Sequence, residues 1–196
     1  GALLALGVTA VWPKRAGFAS YSIALLAMFT ACGFALLQVP EETDWGGMLM
    51  SDGFSRFFKI VLTGGSGLIW LTSWPYLRER IGGKSEFSVL FLTSLFGLML
   101  VVSSTNFLMF VVALETASLG MYVLSASMRN EKTSLEAGIK FFVNSAFATA
   151  IMLWGISILY GVTGSLDFSS VAAGLFEYIG DEIKPFPMLG ILALLV

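Results

Sequence analysis

From Phe107 to Met128 the chain reads FLMFVVALETASLGMYVLSASM, an apolar run broken by a single charged residue, Glu115. A helix needs about 20 apolar residues to cross roughly 30 Å of hydrocarbon, and this run suffices. Four more stretches qualify: Phe18–Leu37, Phe57–Trp74, Phe87–Val102 (extended at the interface by Ser103–Asn106) and Leu135–Val162. Gly1–Trp12 and Pro187–Val196 are apolar but too short to span. The expectation is an all-α, polytopic transmembrane helix bundle. Residues 1–196 form one transmembrane domain of five complete spans and two partial ones. A start without Met and a stop inside an apolar run are expected of a piece of a longer chain.

Composition agrees. Hydrophobic residues make up 57% of the 196 and charged residues 12%, half of the ~25% that covers a soluble surface. Mean hydropathy is +0.85. A net charge of −2 argues against a nucleic-acid partner, which wants a basic face. With no His and a single Cys, Cys32, a Cys/His zinc cluster, an intramolecular disulfide and haem or iron–sulfur ligation fall away. The chain is expected to carry no cofactor and no metal of its own, and to sit in a lipid bilayer. The cluster Gly64-Gly65-Ser66-Gly67 lacks the Gly-Lys-Ser/Thr of a phosphate loop and is expected instead at a helix–helix contact.

Basic residues set an orientation. Odd-numbered connections hold Lys14, Arg15, Arg78, Arg80, Lys84, Arg129 and Lys132. Even-numbered connections and their flanks hold only Arg56, Lys59 and Lys184, together with Glu41, Glu42, Asp44, Asp52, Asp167, Glu177, Asp181 and Glu182. The positive-inside rule places the odd loops on the cytoplasmic (or matrix, or stromal) side.

One lysine, Lys140, belongs to neither set and falls inside a span, as do Glu115 and Glu136. Glu115 lies near mid-bilayer, where an acidic side chain costs roughly 2.5–3.5 kcal/mol. Ser118, Tyr122 and Ser125 follow it at +3, +7 and +10, on one helical face. On the next span Glu136, Lys140 and Asn144 repeat every four residues. The two stripes are expected to face each other and enclose a wettable half-channel, with Glu115, Lys140 and Glu136 moving protons and Ser118, Tyr122, Ser125 and Asn144 lining the way. The blander alternatives are a neutral Glu115 tying two helices together, and an intrahelical Glu136–Lys140 pair.

At these residues the sequence resembles subunit N of respiratory complex I, an antiporter-like subunit related to Mrp-type antiporters. The motifs are Ser134-Leu-Glu-Ala-Gly-Ile-Lys-Phe-Phe142, Leu159-Tyr-Gly-Val-Thr-Gly-Ser165, Ser51-Asp-Gly-Phe-Ser-Arg-Phe-Phe58, Ser103-Ser-Thr-Asn106 and Ala113-Leu-Glu-Thr-Ala-Ser-Leu119. The resemblance implies the N-terminal part of a fold of about fourteen helices, with an inverted second repeat. It implies proton translocation through Glu115 and Lys140, with Glu136 at an acidic position of the motif. It also implies an essential lysine in a broken helix beginning near Pro187, which the sequence to Val196 does not reach. NADH, flavin, iron–sulfur clusters and quinone would belong to other subunits of the NADH:quinone oxidoreductase. Partners would be other membrane-arm subunits, including sister antiporter-like ones. The implied location is first a bacterial cytoplasmic membrane, with a mitochondrial inner membrane or thylakoid as alternatives. Two competing readings stay open: an Mrp-type Na⁺/H⁺ antiporter subunit, and a structural membrane module without transport.

Overall fold

The computed structural model describes residues 16–37, 43–80, 85–128, 130–179 and 185–194. The described chain is mostly helical: α1 (Ala16–Leu37), α2 (Gly53–Arg80), α3 (Ser85–Val101), α4 (Phe107–Ser125), α5 (Lys132–Thr163), α6 (Phe168–Ile179) and α7 (Pro185–Ala193). A short antiparallel hairpin, β1 (Thr43–Trp45) and β2 (Leu49–Ser51), precedes α2. Each of the five expected spans has a helix. Among the described residues, three helices are long and apolar enough to cross a membrane: α1 from Phe18, α4 and α5. The 17 residues of α3 reach about 25 Å, and α2 carries charged residues at both ends. The expected partial span Gly1–Trp12 lies outside the described residues. So do Lys14, Arg15, Glu41, Glu42, Lys84, Arg129, Asp181, Glu182 and Lys184 of the charge count.

Connections on one side of the bundle are stitched together. Met50 N–H donates to Ser103 O (2.7 Å) and Thr105 N–H to Met48 O (3.0 Å). Phe107 N–H donates to Leu166 O (2.9 Å), and Phe168 N–H to Thr105 O (3.0 Å). The Asn106 amide donates to Asp167 Oδ1 at 2.8 Å while its own oxygen caps α4 through Leu108 N–H. The β1–β2, α3–α4 and α5–α6 connections thus share one end, as alternating spans require. Asp44, Asp52 and Asp167 lie there; Arg78 and Lys132 lie toward the other end.

Two elements were not expected. The hairpin turns on Gly46 and Gly47, at φ 69° and 73°, a region that L side chains rarely adopt. Helix α6, 12 residues long, is too short to span. Gly174, well into α6, still lies against Thr163, the last residue of α5. An antiparallel neighbour would by then have travelled about 9 Å down α5, so α6 crosses the end of the bundle; its Val171 is buried. The chain then re-enters: Gly190 and Ala193 of α7 meet Gly155 of α5.

The Ser51–Phe58 motif is a double cap. Asp52 Oδ1 accepts Ser55 N–H at 2.7 Å and Ser55 Oγ accepts Asp52 N–H at 3.1 Å, the reciprocal arrangement that starts a helix. One turn on, the Arg56 guanidinium donates to Ala35 O (2.9 Å) and Leu36 O (2.5 Å), closing the carbonyl end of α1. Arg56→Ala is expected to destabilise the folded chain by about 2 kcal/mol, because two charge-assisted bonds go and two carbonyls lose their donor. Arg56→Lys should recover only part of this, since an ammonium lacks the planar fork. Thermal unfolding of the detergent-solubilised protein measures both.

Trp70 anchors the α1–α2–α3 core at 1% exposure. Its indole N–H donates to Tyr21 O and its carbonyl accepts the Tyr21 hydroxyl. Large apolar side chains cover the outside, Phe34, Leu37 and Phe147 among them, as suits a lipid-facing surface. The closest helix approaches differ from the expected cluster. Gly64 and Gly67 do meet α1, at Cys32 and Met28, but Gly65 faces open space. The tight crossings are Gly97 on Ala117, Gly120 on Ser94 and Leu90, Gly138 on Ala126, and Gly155 on Gly190 and Ala193.

Candidate functional site

Glu115 occupies the middle of α4, eight residues after Phe107 and ten before Ser125, about 12 and 15 Å from the helix ends. It is half-buried. The Thr149 hydroxyl of α5 donates to its Oε1 at 2.6 Å. Two turns toward the far end, the Tyr122 hydroxyl donates to Ser145 Oγ in a short contact. Tyr122 is buried, its ring edge-on to Phe141 and Phe142. Ser125 donates to Met121 O, and its own carbonyl accepts the Ser134 hydroxyl at 2.7 Å. Between these contacts Gly138 lets α5 approach Ala126. Ser118 lies half-buried on the same helix. Hydroxyls therefore punctuate the α4–α5 seam from its mouth to Glu115.

The expectation that the two polar stripes face each other is corrected here. Along α5 the residues meeting α4 are Ser134, Gly138, Ser145 and Thr149. At 100° per residue, Glu136 and Lys140 point about 200° away from Gly138. Both are exposed and paired to each other, Nζ to Oε1 at 2.5 Å; Asn144 is exposed beside them. Lys140 lies nine residues before Thr149, about 13 Å along the axis and half a turn around. The i, i+4 spacing satisfied these charges within their own helix, leaving the seam to small and hydroxyl side chains.

Two adjoining cavities open beside the seam. A polar one of about 390 Å³ is lined by Tyr76, Ser125, Ser127, Glu131, Thr133 and Ser134. A larger, mostly apolar one of about 460 Å³, lined by Glu86, Phe87, Tyr122, Ser127, Gly138 and Phe142, carries the opening inward to Tyr122. They share Phe87, Leu124 and Ser127. Glu115 lines neither; it begins two turns beyond. Sequence reasoning missed Ser145 and Thr149 because each reads as an ordinary polar residue in an apolar helix. Their signal was the recurrence of small or hydroxyl residues at 134, 138, 145 and 149. Among the described residues, no group of three or more His, Cys, Asp or Glu is placed to hold a metal ion.

Residues 104–196 match the family model described as NADH:quinone oxidoreductase/Mrp antiporter, TM. NADH-quinone oxidoreductase subunit N of Magnetococcus marinus is 40% identical over 155 residues, 78% of this chain and 32% of that protein. The subunit N of Gluconacetobacter diazotrophicus is 32% identical over 174 residues, 89% of this chain and 36% of that protein. The chain thus spans about a third of the length of these curated relatives. Among solved structures, a chain of respiratory complex I from Thermus thermophilus with bound aureothin superposes with a TM-score of 0.73 at 28% identity, over 100% of this chain and 42% of that one. A chain of the membrane-bound sulfane sulfur reductase, an archaeal respiratory membrane complex, shares the fold at TM-score 0.78 and 20% identity, over 98% of this chain and 40% of its own. The antiporter-like helical membrane fold, the half-buried carboxylate at the centre of α4 and these similarities converge: residues 104–196 carry the transmembrane region of the NADH:quinone oxidoreductase/Mrp antiporter family, and over the matched span the chain is similar to subunit N.

Proposed function

We propose that the chain is a proton-translocating part of the membrane arm of an NADH:quinone oxidoreductase, with Glu115 as the group that takes up and releases the proton. The observation that carries this reading is a carboxylate at the middle of an apolar spanning helix, met by a donor from the next helix. Carboxyl groups are expensive at that depth and persist where protein or water engages them. Ser125, Tyr122 and Ser118 form the α4 wall of the approach. Glu136, Lys140 and Asn144 serve the opposite face of α5, where a charged edge needs protein or water beside it rather than lipid tails. Lys140 and Glu136 exchange their proton there as an ion pair. Residues 1–196 act as one transmembrane domain with five spans, the first part of an antiporter-like fold of about fourteen helices.

Moving one charge against the membrane potential takes about 2.3 kcal/mol per 100 mV. This chain's residues supply no redox chemistry toward that cost; NADH, flavin, clusters and quinone belong to neighbouring subunits, which couple to it mechanically or electrostatically. Sister antiporter-like subunits are its membrane-arm partners, and the bacterial source of the relatives favours a bacterial cytoplasmic membrane.

The family description also covers Mrp antiporters, so exchange of Na⁺ for H⁺ is the second reading. Purification of the tagged chain from its native membrane separates the two. Recovery with an NADH- or quinone-reactive assembly whose proton uptake in vesicles ignores sodium is expected. Recovery with antiporter subunits alone, and transport that titrates with Na⁺, would overturn the oxidoreductase assignment.

A further inference from the structure

Hydroxyl groups along these helices have a default use. Thr63 donates to Lys59 O, Thr93 to Val89 O, Ser94 to Leu90 O, Thr116 to Val112 O, Ser125 to Met121 O and Thr163 to Leu159 O. Each returns its proton to the carbonyl four residues back, the ordinary way for a spanning helix to satisfy a hydroxyl. Thr149 departs from this. Its proton crosses to α4 and meets Glu115 Oε1 at 2.6 Å, within the range of a direct hydroxyl–carboxyl hydrogen bond. The Tyr122–Ser145 contact one turn away along α5 holds the two helices in register, so the Thr149 hydroxyl is held at the carboxyl group.

We propose that Thr149 is the positioning residue for Glu115: its hydroxyl occupies one carboxylate oxygen from the α5 side and leaves the other as the oxygen that gains and loses the translocated proton. The inference rests on the reading of Glu115 as a proton-transfer group. The step balances simply. The free oxygen of the Glu115 carboxylate forms an O–H bond with an incoming proton from water, giving the neutral acid, and breaks that bond on release; Thr149 keeps its own proton throughout. Thr149 therefore orients and does not relay. It also fixes the rotamer of a side chain with three torsions, so a proton arriving along the seam meets one geometry rather than several.

The test uses the purified membrane complex containing the chain. Infrared difference spectra read the Glu115 carboxyl stretch, assigned by its loss in Glu115→Gln, alongside protons moved per electron in vesicles. Thr149→Val keeps the shape and removes the donor. It is expected to move the carboxyl band to higher frequency and to cut proton-coupled turnover about tenfold, whereas Thr149→Ser should keep the band in place and most of the turnover. Thr149→Ala reads the same band without a branched side chain and serves if the valine variant assembles poorly. An unmoved band in both Val and Ala would overturn the positioning role, and so would a serine variant that behaves like valine. Wild-type transport in Glu115→Gln would instead overturn the proposed function, a separate failure from that of the Thr149 contact.

Discussion

Glu115→Gln is expected to abolish proton translocation, a loss of about 100-fold or more, while leaving the assembled protein at its normal level. A group that gains and loses the transferred proton contributes on the order of 10² to 10⁴ in rate. The glutamine amide has the same shape as the carboxyl group but takes up no proton near neutral pH. Its oxygen still accepts the Thr149 hydroxyl, now at 2.6 Å from Glu115 Oε1, so the α4–α5 contact survives the substitution. Tyr122–Ser145 and Ser134–Ser125 hold the seam independently of it. The measurement is the ratio of protons to electrons in vesicles, read beside the amount of intact complex on a native gel. A variant that lowers the amount of complex and leaves the ratio unchanged would mean that Glu115 ties helices together and nothing more. Lys140→Ala probes the other face of α5, because Lys140 and its partner Glu136 are exposed there, turned away from the face that meets α4. Lys140→Ala is expected to lower the proton ratio at normal assembly, since the proposed function gives Lys140 and Glu136 a proton to exchange; an unchanged ratio would confine the pathway to the seam and remove the charged edge from it.

Which of these features could be read from the amino acids alone follows from the physics of each. The long helices were legible because hydrocarbon thickness demands a run of apolar residues that nothing else in a sequence imitates. Helix α6 was not, since 12 residues cannot span and its packing against α5 depends on a close approach of Gly174 to Thr163. The hairpin was hidden for a different reason: two successive glycines signal a turn but not which strands flank it. At the site, Glu115 announced itself through the cost of burying it. Thr149 carried no such cost, because a helical threonine ordinarily satisfies itself through its own backbone, as Thr93 and Thr116 do. The Glu136–Lys140–Asn144 repeat misdirected the seam assignment since a helical period of four says which residues share a face, never which neighbour that face meets. Small residues were the better guide, for backbones approach where side chains are missing: Gly138 at Ala126 marks the α5 face that α4 covers.

The same close approaches carry the second large effect. Gly97→Leu is expected to remove most of the folded protein from the membrane, a destabilisation of more than about 3 kcal/mol, at the upper end of what overpacking costs. A Cβ placed on Gly97 would lie 2.7 Å from Ala117 Cα and 2.9 Å from its Cβ, and these atoms belong to the backbone and root of α4, not to a side chain that can rotate aside. The α3–α4 pair would have to separate. A second close point lies one turn further along α4, where a Cβ placed on Gly120 would fall 2.7 Å from Leu90 O; it resists that separation, because lipid tails offer no gain in hydrophobic burial to offset lost van der Waals contact. Ala117 follows Glu115 by two residues, so a displaced α4 would also carry the carboxyl group away from Thr149. Gly97→Ala should therefore lower both the yield and the proton ratio, less severely than leucine. Gly65→Ala is the internal control: nothing lies within 4 Å of a Cβ there, and alanine favours the helix by up to about 1 kcal/mol, so yield should hold or rise. Detergent extraction followed by size-exclusion chromatography reads all three variants. Wild-type yield for Gly97→Leu would mean that α3 and α4 do not pack backbone to backbone in the membrane, and the position of Glu115 against α5 would need another support.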